Sequence, residues 1–465
     1  MMHVLPEGEL CLPGYAMRII TLLESVGFEA WAVGGWVRDA LLGQAGHDVD
    51  VASSATWQQC EDTLHAAGIE VHRTGVAHGT VTAVCEGNPV EVTTYRVEGA
   101  YSDRRHPDEV RFVRDIHEDL GRRDFTINAM AYHPSRGLLD PYGGRADLKA
   151  GLIRAVGDPY LRFGEDALRV LRAVRFACRF RFEVERATQS ALNACASELA
   201  AVSPERIGQE LDGIVRTGRA GWALLNETDA MAAAIPELSA LRGFDQRSPY
   251  HAYDALEHTA RVCRACEEFE GGVVQSELRW AALLHDIAKP CTYSVDDTGR
   301  GHFFGHPRVG AAMTREIMRR LALPSALIRP VCMLVRMHDH VVVPTPRSVR
   351  RTLRKFAAVC PGRAVSLTYQ LLDLKRADAV SKVASAAPYA IELDGVSSAV
   401  RREVSKGAPV NIGELAVDGE DVMRELHIEP GPAVGLALDT LLAAVTDDDM
   451  PNDRAVLLSY LHDRI

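Results

Sequence analysis

The periodicity of the chain changes once, near Asp140-Pro141-Tyr142-Gly143-Gly144, and that change constrains the fold more than any other feature. Before it, short β-rich runs alternate with helical ones. Residues 15–27 set Ile19, Ile20, Leu22, Leu23 and Val26 on one broad face, the spacing of an amphipathic helix, with Gly27 to stop it. Residues 28–33, 48–52 and 69–72 read as strands, and 36–42 and 56–67 as helices. Residues 80–85 and 90–94 are β-rich on either side of Gly87-Asn88-Pro89, which predicts a hairpin. After the change, from Phe163 onward, helical periodicity is nearly continuous, broken near Ser203-Pro204, Ser248-Pro249, Pro290 and Pro324. The expectation is an α+β chain: a small N-terminal mixed-sheet head followed by an all-helical neck, body and tail.

At 465 residues the chain exceeds what one hydrophobic core organises. The breaks divide it into a head (1–145), a helical neck (146–245), a second helical domain (246–388) and a helical tail (389–465), with 294–305 as a loop and a softening near 385–388. Apolar residues make up 47% and charged residues 25%, an ordinary soluble composition. Apolar stretches such as 434–445 are too short to span a bilayer. No basic segment leading into an apolar run opens the sequence, so the expected compartment is the cytoplasm. Ten cysteines without a framework read as reduced and mostly buried, with Cys263 and Cys266 one turn apart on a helix. A net charge of -11 excludes a uniformly basic surface but not a local basic track. Arg162, Arg169, Arg172, Arg175, Arg179, Arg181 and Arg186 form such a cluster, which composition alone does not distinguish from the solvated face of a helix.

Gly34-Gly35 ends a strand and opens a helix, followed by Arg38-Asp39 and then Asp48-Val49-Asp50 on the next strand. Alternate residues of a strand project from one face, so Asp48 and Asp50 form a carboxylate pair suited to two Mg²⁺ ions. Such ions activate an attacking hydroxyl and neutralise a leaving pyrophosphate. The Gly-Gly turn lets backbone N–H groups and a helix N-terminus approach a triphosphate. Downstream, Arg122-Arg123-Asp124-Phe125-Thr126-Ile127-Asn128 supplies forked donors for phosphate (Arg122) and groups that can test a 2′-hydroxyl (Asp124, Asn128). The combination G-G-x-x-R-D-x-L-L-G, four residues, then D-x-D resembles the polymerase-β-like nucleotidyltransferases. The second motif resembles the class II tRNA nucleotidyltransferases and their relatives, the bacterial poly(A) polymerases.

Glu165-Asp166-Ala167-Leu168-Arg169 matches that family's E-D-x-x-R motif. Three-residue spacing places Asp166 and Arg169 on one helical face. Cytosine and adenine both present an amino donor beside a ring-nitrogen acceptor, which an aspartate and an arginine complement; uracil and guanine reverse the pattern. Arg172 and Arg175 extend the nucleotide-binding set along the same helix. The segment 95–107, with Arg96, Asp103, Arg104 and Arg105, resembles the flexible loop of CCA- and A-adding members. No G-R-R-F-x-[LIV]-x-H-V signature of the poly(A) polymerases follows. Ser203-Pro204-Glu205-Arg206-Ile207 with Glu210 resembles the family's last helical motif and reads as a helix start. The resemblance implies addition of CCA to tRNA from CTP and ATP, with Mg²⁺ in the head; addition of the terminal A alone and poly(A) synthesis remain alternatives.

A second constellation lies further on: His258, His285-Asp286, His306 and Asp378. It resembles the HD superfamily, in which H…HD…D gathers a divalent ion in a helical bundle. That resemblance implies a metal held by His258, His285, Asp286 and Asp378, a phosphate near Lys289 and His306, and phosphohydrolase activity. His338 and His340 either line that site or face solvent. Glu429-Pro430-Gly431-Pro432 opens the tail's apolar helix, where backbone N–H groups could meet tRNA phosphate.

Overall fold

Apolar spacing decides the first element. Ala16, Ile19, Ile20 and Leu23 fall on one side of helix α1 (Gly14–Ser25), and all four are buried. The structure, a computed structural model, describes residues 4–6, 10–44, 48–99, 110–248, 252–269, 275–383, 387–447 and 449–464. By its contacts the chain forms two units, Met1–Leu211 and Asp212–Ile465.

The first unit is built on a seven-stranded sheet. Its strands are β1 (Ala30–Val33), β2 (Asp50–Ser53), β3 (Glu70–Gly75), β4 (Thr80–Cys85), β5 (Asn88–Thr94), β8 (Ala131–His133) and β9 (Gly137–Leu139), in the spatial order β3-β4-β5-β2-β1-β8-β9. Between β5 and β8 the chain forms a separate pair, β6 (Arg96–Glu98) with β7 (Val110–Phe112). Only β2 and β5 run parallel in the large sheet. All four residues of β1 are buried, as befits a central strand covered on both faces. Trp31, Val33, Ala52, Tyr95, Ile116, Leu120 and Ala131 pack together over its centre.

Helices α2 (Gly35–Leu41), α3 (Trp57–Ala66), α4 (Ile116–Gly121), α5 (Gly144–Ala150), α6 (Pro159–Glu165), α7 (Leu168–Phe180) and α8 (Arg186–Cys195) complete this unit with the start of α9 (Pro204–Arg216). Thr56 and Gln59 close a reciprocal capping box on α3. The hairpin between β4 and β5 turns one residue earlier than the sequence suggests. Cys85 pairs with Asn88, and Glu86 and Gly87, both in the left-handed region, form a two-residue turn whose twist suits the strands.

The second unit is helical: α10 (Ala220–Asn226), α11 (Thr228–Ala234), α12 (Ala255–Phe269), α13 (Ser276–Leu284), α14 (His306–Arg320), α15 (Ser325–Met337), α16 (Pro346–Val359), α17 (Ala364–Val380), α18 (Ala387–Ser405), α19 (Gly419–Leu426), α20 (Pro432–Thr446) and α21 (Arg454–Arg464). Helix α12 packs against α10, α13 and α17. Leu438, Leu441, Val445, Leu457 and Leu461 form a core of their own with Val417 and Val422. The head-then-helices architecture is the one the periodicity predicts. One correction falls at 294–305, where Ser294–Val295 pairs with Gly301–His302 instead of forming a plain loop. All ten cysteines are free and eight are buried, Cys263 and Cys266 among them on α12. No helix among the described residues is long and apolar enough to cross a membrane.

Candidate active site

A cavity of about 530 Å³ opens in the first unit, lined by Gly34, Gly35, Asp50, Asp124, Asn128, Asp166, Phe176 and seven arginines. Sheet register places its acidic edge. Val33 on β1 pairs with Asp50 on β2, so the Gly34-Gly35 turn that follows β1 lies beside Asp50. Gly34 has φ +71 and caps α2. That positive φ favours glycine, and a Cβ there would also stand 2.7 Å from Arg123 Nη1, the movable end of its side chain. Asp48 is exposed just ahead of β2 and Asp50 is half-buried at its first residue. Burial, then Glu91 on the paired position of β5, then Asp48 push the Asp50 carboxyl up to about 6, against the pull of Arg123. Three carboxylates crowded this way favour a proton or a cation.

The arginines are aimed by buried acids. Asp119, 1% exposed on α4, accepts from Arg122 Nε at 3.0 Å and Arg123 Nη2 at 3.3 Å, an i,i+3 and i,i+4 arrangement. Arg172 on α7 donates Nε and Nη2 to Asp124 Oδ2 at 2.8 and 2.6 Å. Asn128 donates to Asp124 Oδ1 at 3.0 Å and accepts from Arg38 Nη1 at 2.5 Å. Burial would raise the Asp124 carboxyl, but Arg172, Asn128 and Arg169 together bring it down to about 2. Asp124, Asn128 and Arg38 therefore use much of their bonding capacity on one another, and Arg38 also binds Asp39 at 2.8 Å. Their visible effect is to orient the cavity wall.

The expected placement of Asp166 and Arg169 on one helical face is corrected, because Asp166 lies outside the helix. Asp166 precedes α7 in extended conformation, where its Oδ1 accepts the Leu168 N–H at 3.1 Å and its Oδ2 accepts Arg206 Nη2 at 2.7 Å. Arg169 instead donates to Glu165 Oε2 at 2.5 Å and to the carbonyls of Arg162 and Arg122. Both side chains still line the cavity. Arg175 does not. It is bonded to Glu210 at 2.5 Å, with its guanidinium over the Phe176 ring. Arg96 lines the cavity from β6, whereas Asp103, Arg104 and Arg105 lie outside the described residues. Sequence reasoning missed Arg123, Phe176 and Arg206 as lining residues and Asp119 as the buried acid that holds Arg122 and Arg123. The i,i+3/i+4 spacing of Asp119 to the paired arginines was the available signal.

In the second unit, His258 on α12, His285 capping α13, Asp286, His306 opening α14, His338 capping α15 and Asp378 on α17 converge. His258 Nε2 is 3.1 Å from Asp378 Oδ1 and 3.5 Å from Asp286 Oδ2. His285, His306 and His338 each place Nδ1 2.7–2.9 Å from the carbonyl three residues earlier. A carbonyl only accepts, so Nδ1 carries a proton and each ring turns its Nε2 inward to the cluster. Burial holds His258 below its ordinary pKa and His338 down to about 3, while Asp286 raises His285 despite burial. His306, expected only near a phosphate, is grouped here with Asp286 and His338 as a set able to hold a cation. Lys289 Nζ sits 2.7 Å from Asp286 Oδ2. His340 stands apart, 3.3 Å from Lys355.

Four family models match consecutive stretches: the poly A polymerase head domain over residues 30–154, the RNA- and SrmB-binding site of polymerase A over 181–241, the HD domain over 255–382, and tRNA nucleotidyltransferase domain 2 over 404–461. A CCA-adding enzyme of Streptococcus gordonii is 32% identical over 449 residues, 97% of this chain and 97% of its own. That of Geobacillus thermodenitrificans is 33% identical over 456 residues, covering 97% and 96%. A CCA-adding enzyme of Leuconostoc mesenteroides reaches 46%, but over 209 residues, 51% of its length. Among solved structures, the Bacillus stearothermophilus CCA-adding enzyme in complex with CTP matches with a TM-score of 0.70 at 28% identity, covering 97% of this chain and 96% of that one. The Thermotoga maritima CCA-adding enzyme complexed with tRNA-CCA shares the fold, with a TM-score of 0.58 at 20% identity over 98% and 96%.

Proposed function

The chain belongs to the CCA-adding enzymes, the class II tRNA nucleotidyltransferases, and we propose that it builds the CCA end of tRNA from CTP and ATP in the arginine-lined cavity of its first unit. The reaction joins the RNA 3′ oxygen to the α-phosphorus of the nucleotide and breaks the bond to pyrophosphate. Asp48 and Asp50 would hold two Mg²⁺ ions, which supply hydroxyl activation and charge neutralisation. The raised Asp50 carboxyl among neighbouring acids fits a place made for cations. Arg122, Arg123 and Arg172, already oriented by Asp119 and Asp124, line the cavity with positive charge for the triphosphate.

The observation that carries the choice of base is how Asp166 and Arg169 are held. Asp166 Oδ1 accepts the Leu168 N–H and Oδ2 accepts Arg206, and a carboxylate oxygen has room for a second bond. Arg169 is anchored through Nη1 by Glu165 and the Arg162 carbonyl and through Nη2 by the Arg122 carbonyl, so its fork is fixed at the cavity wall with Nε–H and the second Nη2 N–H left to donate. A fixed acceptor beside a fixed donor reads the amino and ring-nitrogen edge shared by cytosine and adenine. A base with the reversed edge leaves both contacts mismatched, at about 1–3 kcal/mol each. Single-turnover incorporation from each of the four nucleoside triphosphates checks this. Asp166→Ala is expected to lower the preference for CTP and ATP over UTP and GTP by roughly tenfold or more, and an unchanged preference would remove Asp166 from the recognition.

A second reading applies to the other unit. The convergence of His258, His285, Asp286 and Asp378 in a helical bundle supports a metal-dependent phosphohydrolase site, with Lys289 beside the phosphate. If the full chain binds no divalent transition ion once Asp48 and Asp50 are replaced, that reading fails.

A further inference from the structure

We propose that Arg206 is an adenine-specific contact, donating from its unpaired arm to N7 of the base whose amino group Asp166 accepts. The proposal rests on the base-edge reading of Asp166 and Arg169. It adds what tells adenine from cytosine, two bases that this pair treats alike.

Arg206 comes from the segment 203–207, which in the sequence marks only a helix start. It lies in the first turn of α9, and Glu210 follows one turn later on the same face. Glu210 accepts Arg175 Nε of α7 at 2.5 Å, so this face of α9 is fastened to α7. Arg206 thereby reaches Asp166, just ahead of α7, and donates Nη2 to its Oδ2 at 2.7 Å. Both side chains line the cavity. That ion pair uses one arm of the fork. The other arm, Nη1, is shielded from solvent and meets no hydrogen-bond partner among the described residues. Buried donors are seldom left so, because nothing replaces the water they have lost.

The order of groups along a base edge says what such an arm can meet. In adenine the amino group lies between N1 and N7, and both ring nitrogens accept. In cytosine it lies between N3, which accepts, and a C–H, which does not. With the amino group on Asp166 and N1 or N3 on Arg169, the amino group's other flank is N7 in adenine and C–H in cytosine. Arg206 is the donor seated on Asp166. It shares none of the partners that hold Arg169, namely Glu165 and the carbonyls of Arg162 and Arg122. It therefore serves the other flank. Adenine gains a hydrogen bond from Nη1, whereas cytosine leaves that arm unpaired. Guanine also offers N7, but its O6 would then face the Asp166 carboxylate, two acceptors in contact. Arg206 thus separates adenine from cytosine without admitting guanine.

The test compares ATP with 7-deaza-ATP, in which C–H replaces N7, and with 1-deaza-ATP, in which C–H replaces N1. The full chain extends a tRNA transcript ending in CC, in single-turnover reactions with Mg²⁺. The parent is expected to use 7-deaza-ATP roughly tenfold less efficiently than ATP. In Arg206→Lys, whose single ammonium lacks the fork that serves Asp166 and N7 together, that ratio should fall close to one. A role confined to holding Asp166 would slow both nucleotides alike and leave the ratio at its parental value. Equal use of ATP and 7-deaza-ATP by the parent, or a parental ratio in Arg206→Lys, overturns the proposal. Poor use of 1-deaza-ATP beside full use of 7-deaza-ATP removes Arg206 alone; full use of both also removes the base-edge reading. Should Arg206→Lys not fold, Arg206→Met takes its place, and the parent's own ratio still decides.

Discussion

Asp50 illustrates how a single residue trades stability for chemistry. Its carboxyl is raised to about 6 by burial and by Glu91 and Asp48, above the roughly 3.9 of an unfolded aspartate. A group raised in this way favours the fold below its unfolded pKa, and the favour is lost as pH rises through the folded value. Without metal, ionised Asp50 therefore weakens the fold at neutral pH. Asp50→Asn should raise Tm in EDTA at pH 7.5 by a few degrees, and the gain should vanish below about pH 4, while nucleotidyl transfer is lost. Calorimetry from pH 4 to 8 checks it; a variant less stable than the parent at pH 7.5 would contradict this origin of the shift. At this scale much of the site was legible. Gly34, Asp50, Arg122, Asp124, Asn128, Asp166, Arg169 and Arg172 all line one cavity. What the sequence hides is who holds whom. The Asp166–Arg206 and Arg169–Glu165 pairs depend on Asp166 being in an extended turn, which i,i+3 spacing on an assumed helix does not reveal.

Among elements, the junction after β9 controls the cavity from behind. Asp140 accepts the N–H groups of Gly144 and Arg145 at 2.7 and 2.9 Å and starts α5. A Cβ on Gly144 would stand 2.2 Å from the Thr126 carbonyl, in the turn Thr126–Asn128 whose last residue binds Asp124 and Arg38. Gly144→Ala should cost about 1–3 kcal/mol and raise KM for CTP and ATP by displacing Asn128. A denaturant titration with steady-state kinetics measures both, and an unchanged stability would mean the turn yields freely. Strand and helix identities were legible because burial follows period: β4 alternates and α1 keeps one buried face. Boundaries were less so. The β4–β5 turn falls on Glu86-Gly87 because a non-glycine residue there adopts positive φ, against the local signal of Gly87-Asn88-Pro89.

For the whole molecule, a net charge of -11 coexists with a cavity lined by seven arginines, so local sign governs nucleotide binding. The change of periodicity near residue 140 separates a sheet-based head from helices, and the HD-type cluster assembles from residues more than 100 positions apart. Its first ligands were readable as His258, His285-Asp286 and Asp378, whereas for His338 the sequence left lining the site or facing solvent open, and packing of α14 on α15 brings it to His306. The central claim is that one cavity adds two cytidines and an adenosine and then stops. Its most direct measurement supplies three tRNA transcripts, ending at the discriminator base, at C and at CC, with CTP, ATP or both, and sizes the products. Every transcript should end at CCA when both nucleotides are present. Extension of the CC-ending transcript alone, or long adenosine tails on any of them, would contradict the account.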